Sequence, residues 1–222
     1  MEIRAGYHKR LREIQDDILV MGSMSEKAIL QSVQALKDRN LVEAKRIIAD
    51  DVKINQKRFE IEEKCVQLIA TQQPMAGDLR IIVCALYIIT ELERIGDYAE
   101  GIAKIVLMIG DEPPLKPLID IPRMADKMSL MLRRSMAAFI NRDVEAAKKI
   151  AAEDDDVDAL YDQVFRELLT FMMEDPRTIT RATRLIWVAH NLERAADRVT
   201  NVCERVVFSV TGKMEETGAS KY

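Results

Sequence analysis

Histidine is nearly absent from this chain: His8 and His190 are its two copies in 222 residues. A carboxylate-bridged di-iron bundle needs a Glu-x-x-His motif on each of two helices. Here His190 precedes Glu193 and Thr90 precedes Glu93, so that pattern fails in both places. Cysteine is scarce as well. Cys65, Cys84 and Cys203 each lie in an apolar stretch without the paired spacing of a zinc or redox site, and read as small core residues in a reducing compartment. Charge of one sign is missing too, since 33 basic and 37 acidic residues are mixed along the chain for a net charge of −4. That leaves no polycation for nucleic acid or an anionic lipid surface. The longest apolar run, Ile81 to Ile89, is far short of the roughly 20 residues that span a bilayer. The first ten residues contain no apolar region of the signal-peptide kind, so the expectation is a cytoplasmic protein without direct membrane insertion. No glycine loop of the G-x-x-x-x-G-K type occurs, nor a serine or cysteine nucleophile placed beside a base, so binding is expected rather than catalysis.

What the chain does have is helix. Its six prolines, at positions 74, 113, 114, 117, 122 and 176, fall between segments rich in Ala, Leu, Ile, Met, Glu, Lys and Arg, with apolar residues recurring at three and four. The pattern predicts six helices over 7–39, 41–72, 78–109, 122–141, 143–174 and 177–210. Asn40 and Asp143 are placed to cap the second and fifth. Met124, Met128 and Met131 line up as core residues of the fourth, and Ile81 to Ile89 is apolar on every face, as in a helix covered on all sides.

The two halves repeat. Leu41 to Asp51 lies over Val144 to Asp154 at an offset of 103, and Glu91-Leu92-Glu93-Arg94-Ile95-Gly96-Asp97 lies over Asn191-Leu192-Glu193-Arg194-Ala195-Ala196-Asp197 at an offset of 100. The expected architecture is all-α, two tandem three-helix bundles related by duplication. One occupies 1–110 and the other 122–212, with a proline-rich linker over 111–121 and a frayed tail over 213–222. Leftover apolar surface on such bundles favours a homodimer.

Residues four apart on a helix share a face, so Glu93 with Asp97 and Glu193 with Asp197 each set two carboxylates side by side. Glu100 continues the first line; Asn201 and Glu204 continue the second. Each middle helix carries a matching pair, Asp51 with Asn55 and Asp154 with Asp158. Clustered carboxylates raise one another's proton affinity unless a cation neutralises them, and oxygen ligands suit hard or borderline ions such as Mg²⁺, Mn²⁺ or iron. The plainer reading is ordinary helix-surface chemistry, with Arg94 and Arg194 forming local ion pairs; recurrence in both units keeps the metal reading open. His190, beside Trp187 and Val188, reads as a hydrogen-bonded interior residue rather than a ligand, and His8 as a solvated one.

Four stretches carry a family resemblance: Gln72 to Arg80, Glu91 to Asp97, Met173 to Ile179 and Asn191 to Asn201. In that order they are similar to the signature segments of the PhoU family, and the similarity runs from about Ile14 to Thr211. The resemblance implies a cytoplasmic, commonly dimeric negative regulator of the phosphate regulon and of phosphate uptake. In that role it is an adaptor, peripheral to the inner membrane, between the ATPase subunit of a phosphate ABC importer and a sensor histidine kinase. It also implies metal ions of the Mg, Mn, Fe or Zn kind at E(D)-x-x-x-D motifs. Those motifs fall on Asp51, Asn55, Glu93 and Asp97 in the first unit and on Asp154, Asp158, Glu193 and Asp197 in the second. This sequence departs from the pattern at Asn55, where a carboxylate would complete the pair, and at Gly101, which stands opposite Asn201. A di-iron enzyme and a purely structural scaffold are the alternatives.

Overall fold

The computed structural model describes residues 2–214, with side chains from residue 6 onward. The expected frayed tail lies, from residue 215, outside the described residues. Helix α1 spans Glu2–Asp38, α2 Leu41–Gln72, α3 Gly77–Ile109, α4 Asp120–Asn141, α5 Val144–Ala151, α6 Asp154–Glu174 and α7 Ile179–Thr211; among the described residues there is no strand. The all-α class and the order of helices follow the sequence pattern. Asn40 accepts from the Glu43 amide at 3.0 Å and Asp143 from the Ala146 amide at 2.9 Å, so both expected caps form at equivalent places in the two repeats.

Two departures have physical causes. The helix expected over 143–174 is interrupted by a turn at Ala152 and Glu153. Four consecutive acids, Glu153 to Asp156, repel one another inside a continuous helix. A fresh start puts Asp154, Asp155 and Asp156 in the first turn of α6, where the positive end of the helix dipole favours them. Helix α4 begins at Asp120, two residues ahead of the expected start at Pro122, so that Pro122 stands inside the first turn, which costs no hydrogen bond because first-turn amides have no partner within the helix.

Each repeat packs its three segments together: α1, α2 and α3 in one, α4, α5 with α6, and α7 in the other. The halves are then joined through equivalent helices, with α3 lying against α7 as the most extensive pairing in the molecule and α1 against α4. The α3–α7 register is antiparallel and self-matching. Asn201 donates to Glu91 at 3.2 Å, and the same contact with the halves exchanged sets Gly101 against Asn191. A Cβ at Gly101 would lie 2.9 Å from Asn191 Oδ1, so glycine permits this approach. A contact that recurs with the partners swapped is the mark of a twofold relation. Here it is internal, with its axis crossing the seam near Gly96 and Ala196.

The apolar side chains form one continuous buried cluster running through both halves. Helix α3 buries fourteen residues against α1, α2 and α7, but the run Ile81 to Ile89 is not covered on all sides as expected, since Tyr87 within it is 49% exposed. Met124, Met128 and Met131 are fully buried, as are all three cysteines, whose thiols burial pushes up to about 12, 11 and 12 for Cys65, Cys84 and Cys203. No helix among the described residues is long and apolar enough to cross a membrane.

A core shared by both halves predicts one cooperative urea transition, with Trp187 fluorescence on α7 and far-UV circular dichroism changing together; two separated transitions would contradict it. Leu92→Ala, at a fully buried position in α3, should cost about 2–5 kcal/mol. Val42→Ala, at a position 80% exposed, should shift stability by less than about 0.5 kcal/mol in the same titration.

Candidate functional site

The acidic side chains gather where each repeat's middle segment meets its last helix. In the first repeat α2 brings Asp51 and Asn55 against Glu93, Asp97 and Glu100 of α3. Gly96, on the same face between Glu93 and Asp97, makes the approach possible: a Cβ there would lie 3.0 Å from Ile54 Cδ1 and 3.4 Å from Asp51 Oδ1. Asn55 Nδ2 donates to Asp51 Oδ2 at 2.9 Å, while Asp51 Oδ1 and Asn55 Oδ1 are buried without a hydrogen-bond partner. Burial, then the charges of Asp97 and Glu100, hold the Asp51 carboxyl above its usual range; burial and Asp97 do the same to Glu93. Burial followed by Glu100 raises Asp97.

Cations of the chain itself enter this first cluster. Arg58 Nε stands 3.8 Å from Glu93 Oε1, and Lys104 pairs with Glu100 at 2.6 Å. Asn55 in place of a carboxylate removes one more negative charge. The first cluster is therefore partly neutralised by its own side chains.

In the second repeat Asp154 and Asp158 of α6 face Glu193 and Asp197 of α7, with Ala196 in the place of Gly96. Asp154 begins α6, where the helix dipole favours the ionised form. Burial and its neighbours outweigh that: desolvation first, then Asp158, Asp197 and Glu193, push its carboxyl up to about 7. Glu193 is likewise pushed up to about 7, by burial and then by Asp197. Asp154 Oδ1 and Glu193 Oε2 are buried without a hydrogen-bond partner. His190 Nδ1 stands 3.4 Å from Glu193 Oε2, within ion-pair range but outside hydrogen-bond geometry, and burial and Arg194 lower the proton affinity of its ring, so it neutralises little at pH 7. Arg194 pairs with Asp197 at 2.8 Å, as the sequence led us to expect.

Not every expected ligand joins its cluster. Asn201 turns to Glu91 across the seam, where Arg198 also reaches Glu91 at 3.5 Å. His190 is exposed rather than interior, its ring 6.0 Å from that of Tyr161. Among the described residues no three His, Cys, Asp or Glu side chains converge closely enough to hold a metal ion as they stand. The donor set nevertheless fits a hard cation better in the second cluster than in the first: four carboxylates, two of them with an orphaned buried oxygen, against three carboxylates beside Glu100 and its lysine.

Sequence reading missed Arg58, Gly96 and Tyr161. Arg58 has a legible signal in its i,i+4 pairing with Glu62, and Tyr161 occupies the equivalent position at the offset of 103, so the comparison of repeats itself exposes the difference in charge. A groove of about 740 Å³ lies elsewhere, between α1 and α4, with a mixed lining that includes Lys27, Asp126 and the Glu26–Arg133 pair and none of these carboxylates.

The raised carboxyls fix a pH dependence. For Asp154 the folded value, about 7, lies above the ordinary 3.8, so the folded state holds more protons between those values and stability falls as pH rises through that window. Without divalent cations, Asp154→Asn should stabilise the protein at pH 8, by on the order of 1–2 kcal/mol once partial solvent screening is allowed for, and by roughly a third as much at pH 5. Thermal melts at the two pH values check this; an equal effect at both would contradict it.

The PhoU domain family matches the chain twice, over residues 18–106 and 121–206. The Phosphate-specific transport system accessory protein PhoU homolog of Clostridium acetobutylicum is 39% identical over 93% of this chain and 95% of its own length. The homolog of Aquifex aeolicus is 40% identical over 84% of each. Among solved structures, PhoU from Pseudomonas aeruginosa superposes with a TM-score of 0.88 at 33% identity, covering 93% of this chain and all of that one. The phosphate transport system regulatory protein PhoU from Streptococcus pneumoniae gives 0.87 at 29%, covering 94% and 99%. Two matches in tandem fall on the two repeats already drawn from the geometry, and the chain belongs to the PhoU family.

Proposed function

We propose that this chain is an accessory protein of a phosphate-specific transport system that restrains phosphate uptake and represses the phosphate-starvation response when phosphate is plentiful. It acts by binding. On this reading it links the importer's ATPase subunit to a sensor histidine kinase, in the cytoplasm and at the membrane only through those partners. The names of its relatives, accessory and regulatory proteins of phosphate transport, support the general role.

The observation that carries the finer reading is the duplicated carboxylate cluster, and above all Asp154 and Glu193, each with a buried oxygen left unpaired. Oxygens held this way are short of a cation. Asp154, Asp158, Glu193 and Asp197 would hold a divalent or iron-type ion, whose charge would remove their mutual repulsion and leave a less negative surface for a partner. The first cluster, with Arg58 and Lys104 already present, would hold one less firmly. An adaptor shifts an equilibrium only by binding one state of its partner better than another, and surface charge is one way to supply that difference. Self-association is supported by α2, where Val52, Phe59 and Val66 form an exposed apolar stripe at seven-residue spacing, 52%, 58% and 55% exposed, which a second copy would cover.

Glu193→Ala with Asp197→Ala should raise alkaline phosphatase expression in phosphate-rich medium toward that of a deletion strain, with helical content unchanged. Unaltered repression would refute the role given to the cluster. Added Mn²⁺ at pH 7.5 should raise the melting temperature of the wild-type protein by several degrees and that of the double variant by less.

A further inference from the structure

The two last helices leave the seam in the same way. Each ends on a glycine with positive φ, Gly110 at 65° closing α3 and Gly212 at 72° closing α7. In the antiparallel register each exit lies beside the first turns of the other helix. The exit from α3 is tied down there. Glu112, two residues past Gly110, stands 3.9 Å from Arg181 Nε and 3.7 Å from a guanidinium nitrogen of Arg184, both in the first two turns of α7. Arg181 also donates to the Pro113 carbonyl at 3.4 Å.

At the other end the cation is present and its partner is not. Arg80 stands in the first turn of α3, and its guanidinium lies so close to the exit of α7 that a Cβ at Gly212 would collide with it. Arg80 Nε is buried without a hydrogen-bond partner, and among the described residues no carboxylate pairs with this side chain. Arg205 lies nearby on α7, its guanidinium 4.1 Å from the Tyr87 ring centre and donating to Met214 Sδ at 3.3 Å. Burial raises the Cys84 thiol, and Arg205 and Arg80 both act to lower it, so the two cations surround one stretch of α3.

The chain itself carries the matching acids. Met214, already at Arg205, is followed by Glu215 and Glu216. Three or four residues past Gly212 reach about 10–13 Å, enough to turn back to Arg80 as Glu112 turns back to Arg181. We infer that Glu215 and Glu216 pair with Arg80 and Arg205, an intrachain strap that closes the exit of α7 as Glu112 closes that of α3. Carboxylate–guanidinium pairs are among the stronger hydrogen bonds, and a tether this short presents the acids at high effective concentration. While strapped, the two arginines are withheld from other acidic or phosphate-bearing ligands, which must displace the tail to reach them.

The test uses the full chain carrying Arg80→Lys, which keeps the charge and supplies an amine. Carbodiimide couples an amine to a carboxylate in contact with it, and the Lys116–Glu167 pair serves as internal control. Peptide mapping should find residue 80 joined to Glu215 or Glu216 at a yield within severalfold of that control, and less of it in about 1 M salt, where charges are screened beyond about 3 Å. In a mixture of ¹⁵N-labelled and unlabelled chains the joined peptides should carry the same label. The control product without the one at residue 80, or a product joining two chains, would overturn the inference. A second measurement leaves Arg80 in place. Glu215→Gln with Glu216→Gln should speed phenylglyoxal modification of Arg80 severalfold while leaving Arg184, held by Glu112, unchanged; an unaltered rate at Arg80 would equally overturn it.

Discussion

The antiparallel packing of α3 on α7 is the constraint from which the rest of the arrangement follows. Helix α3 has fourteen residues to bury and reaches a low free energy only when α1, α2 and α7 all pack on it. Because α7 is its repeat, the pairing closes about an internal axis and merges two cores into one. Each last helix then has one flank on the seam and the other turned toward its own middle segment. Gly96 keeps that second flank narrow enough for Asp51 to reach the neighbouring carboxylates, and Ala196 stands at the equivalent place beside Asp197.

The two clusters so formed are alike in position and unlike in charge. The first contains Asn55, Arg58 and Lys104; the second has Asp158 and Tyr161 at the positions equivalent to Asn55 and Arg58, and Glu204 at that of Lys104. Burial raises Asp154 and Glu193 to about 7 even though Arg194 pairs with Asp197, whereas the first cluster carries more of its own counter-charge. A protein that folds around such a concentration of negative charge gives up stability at neutral pH. Under the proposed function, binding of a cation returns it.

Much of this was legible in the residues. Apolar spacing and six prolines gave the helices within a few residues, and Asn40 and Asp143 marked two starts that the caps realise. The duplication located Glu93, Asp97, Glu193 and Asp197 because spacing of four fixes a shared helix face. What periodicity could not supply was how one helix face meets another. Asn201 looks like a continuation of the acidic line yet lies on the flank facing Glu91, a difference of angle that only the packed seam decides. His190 sits in an apolar neighbourhood of sequence but on the outer side of α7. The interruption of the fifth helix is written in four consecutive acids, although its consequence, Asp154 placed at a helix start, depends on where the chain relieves that repulsion.

Ionisation of the second cluster is the property on which the site's affinity for a cation depends. Carboxyl-carbon nuclear magnetic resonance titration of the metal-free protein, with Asp154 and Glu193 assigned by Asp154→Asn and Glu193→Gln, should show the cluster titrating with apparent values near 7. Saturating Mg²⁺ should carry them down by a unit or more. Values near the ordinary carboxylate range without the ion, unmoved by its addition, would contradict the claim that this fold builds a site short of positive charge.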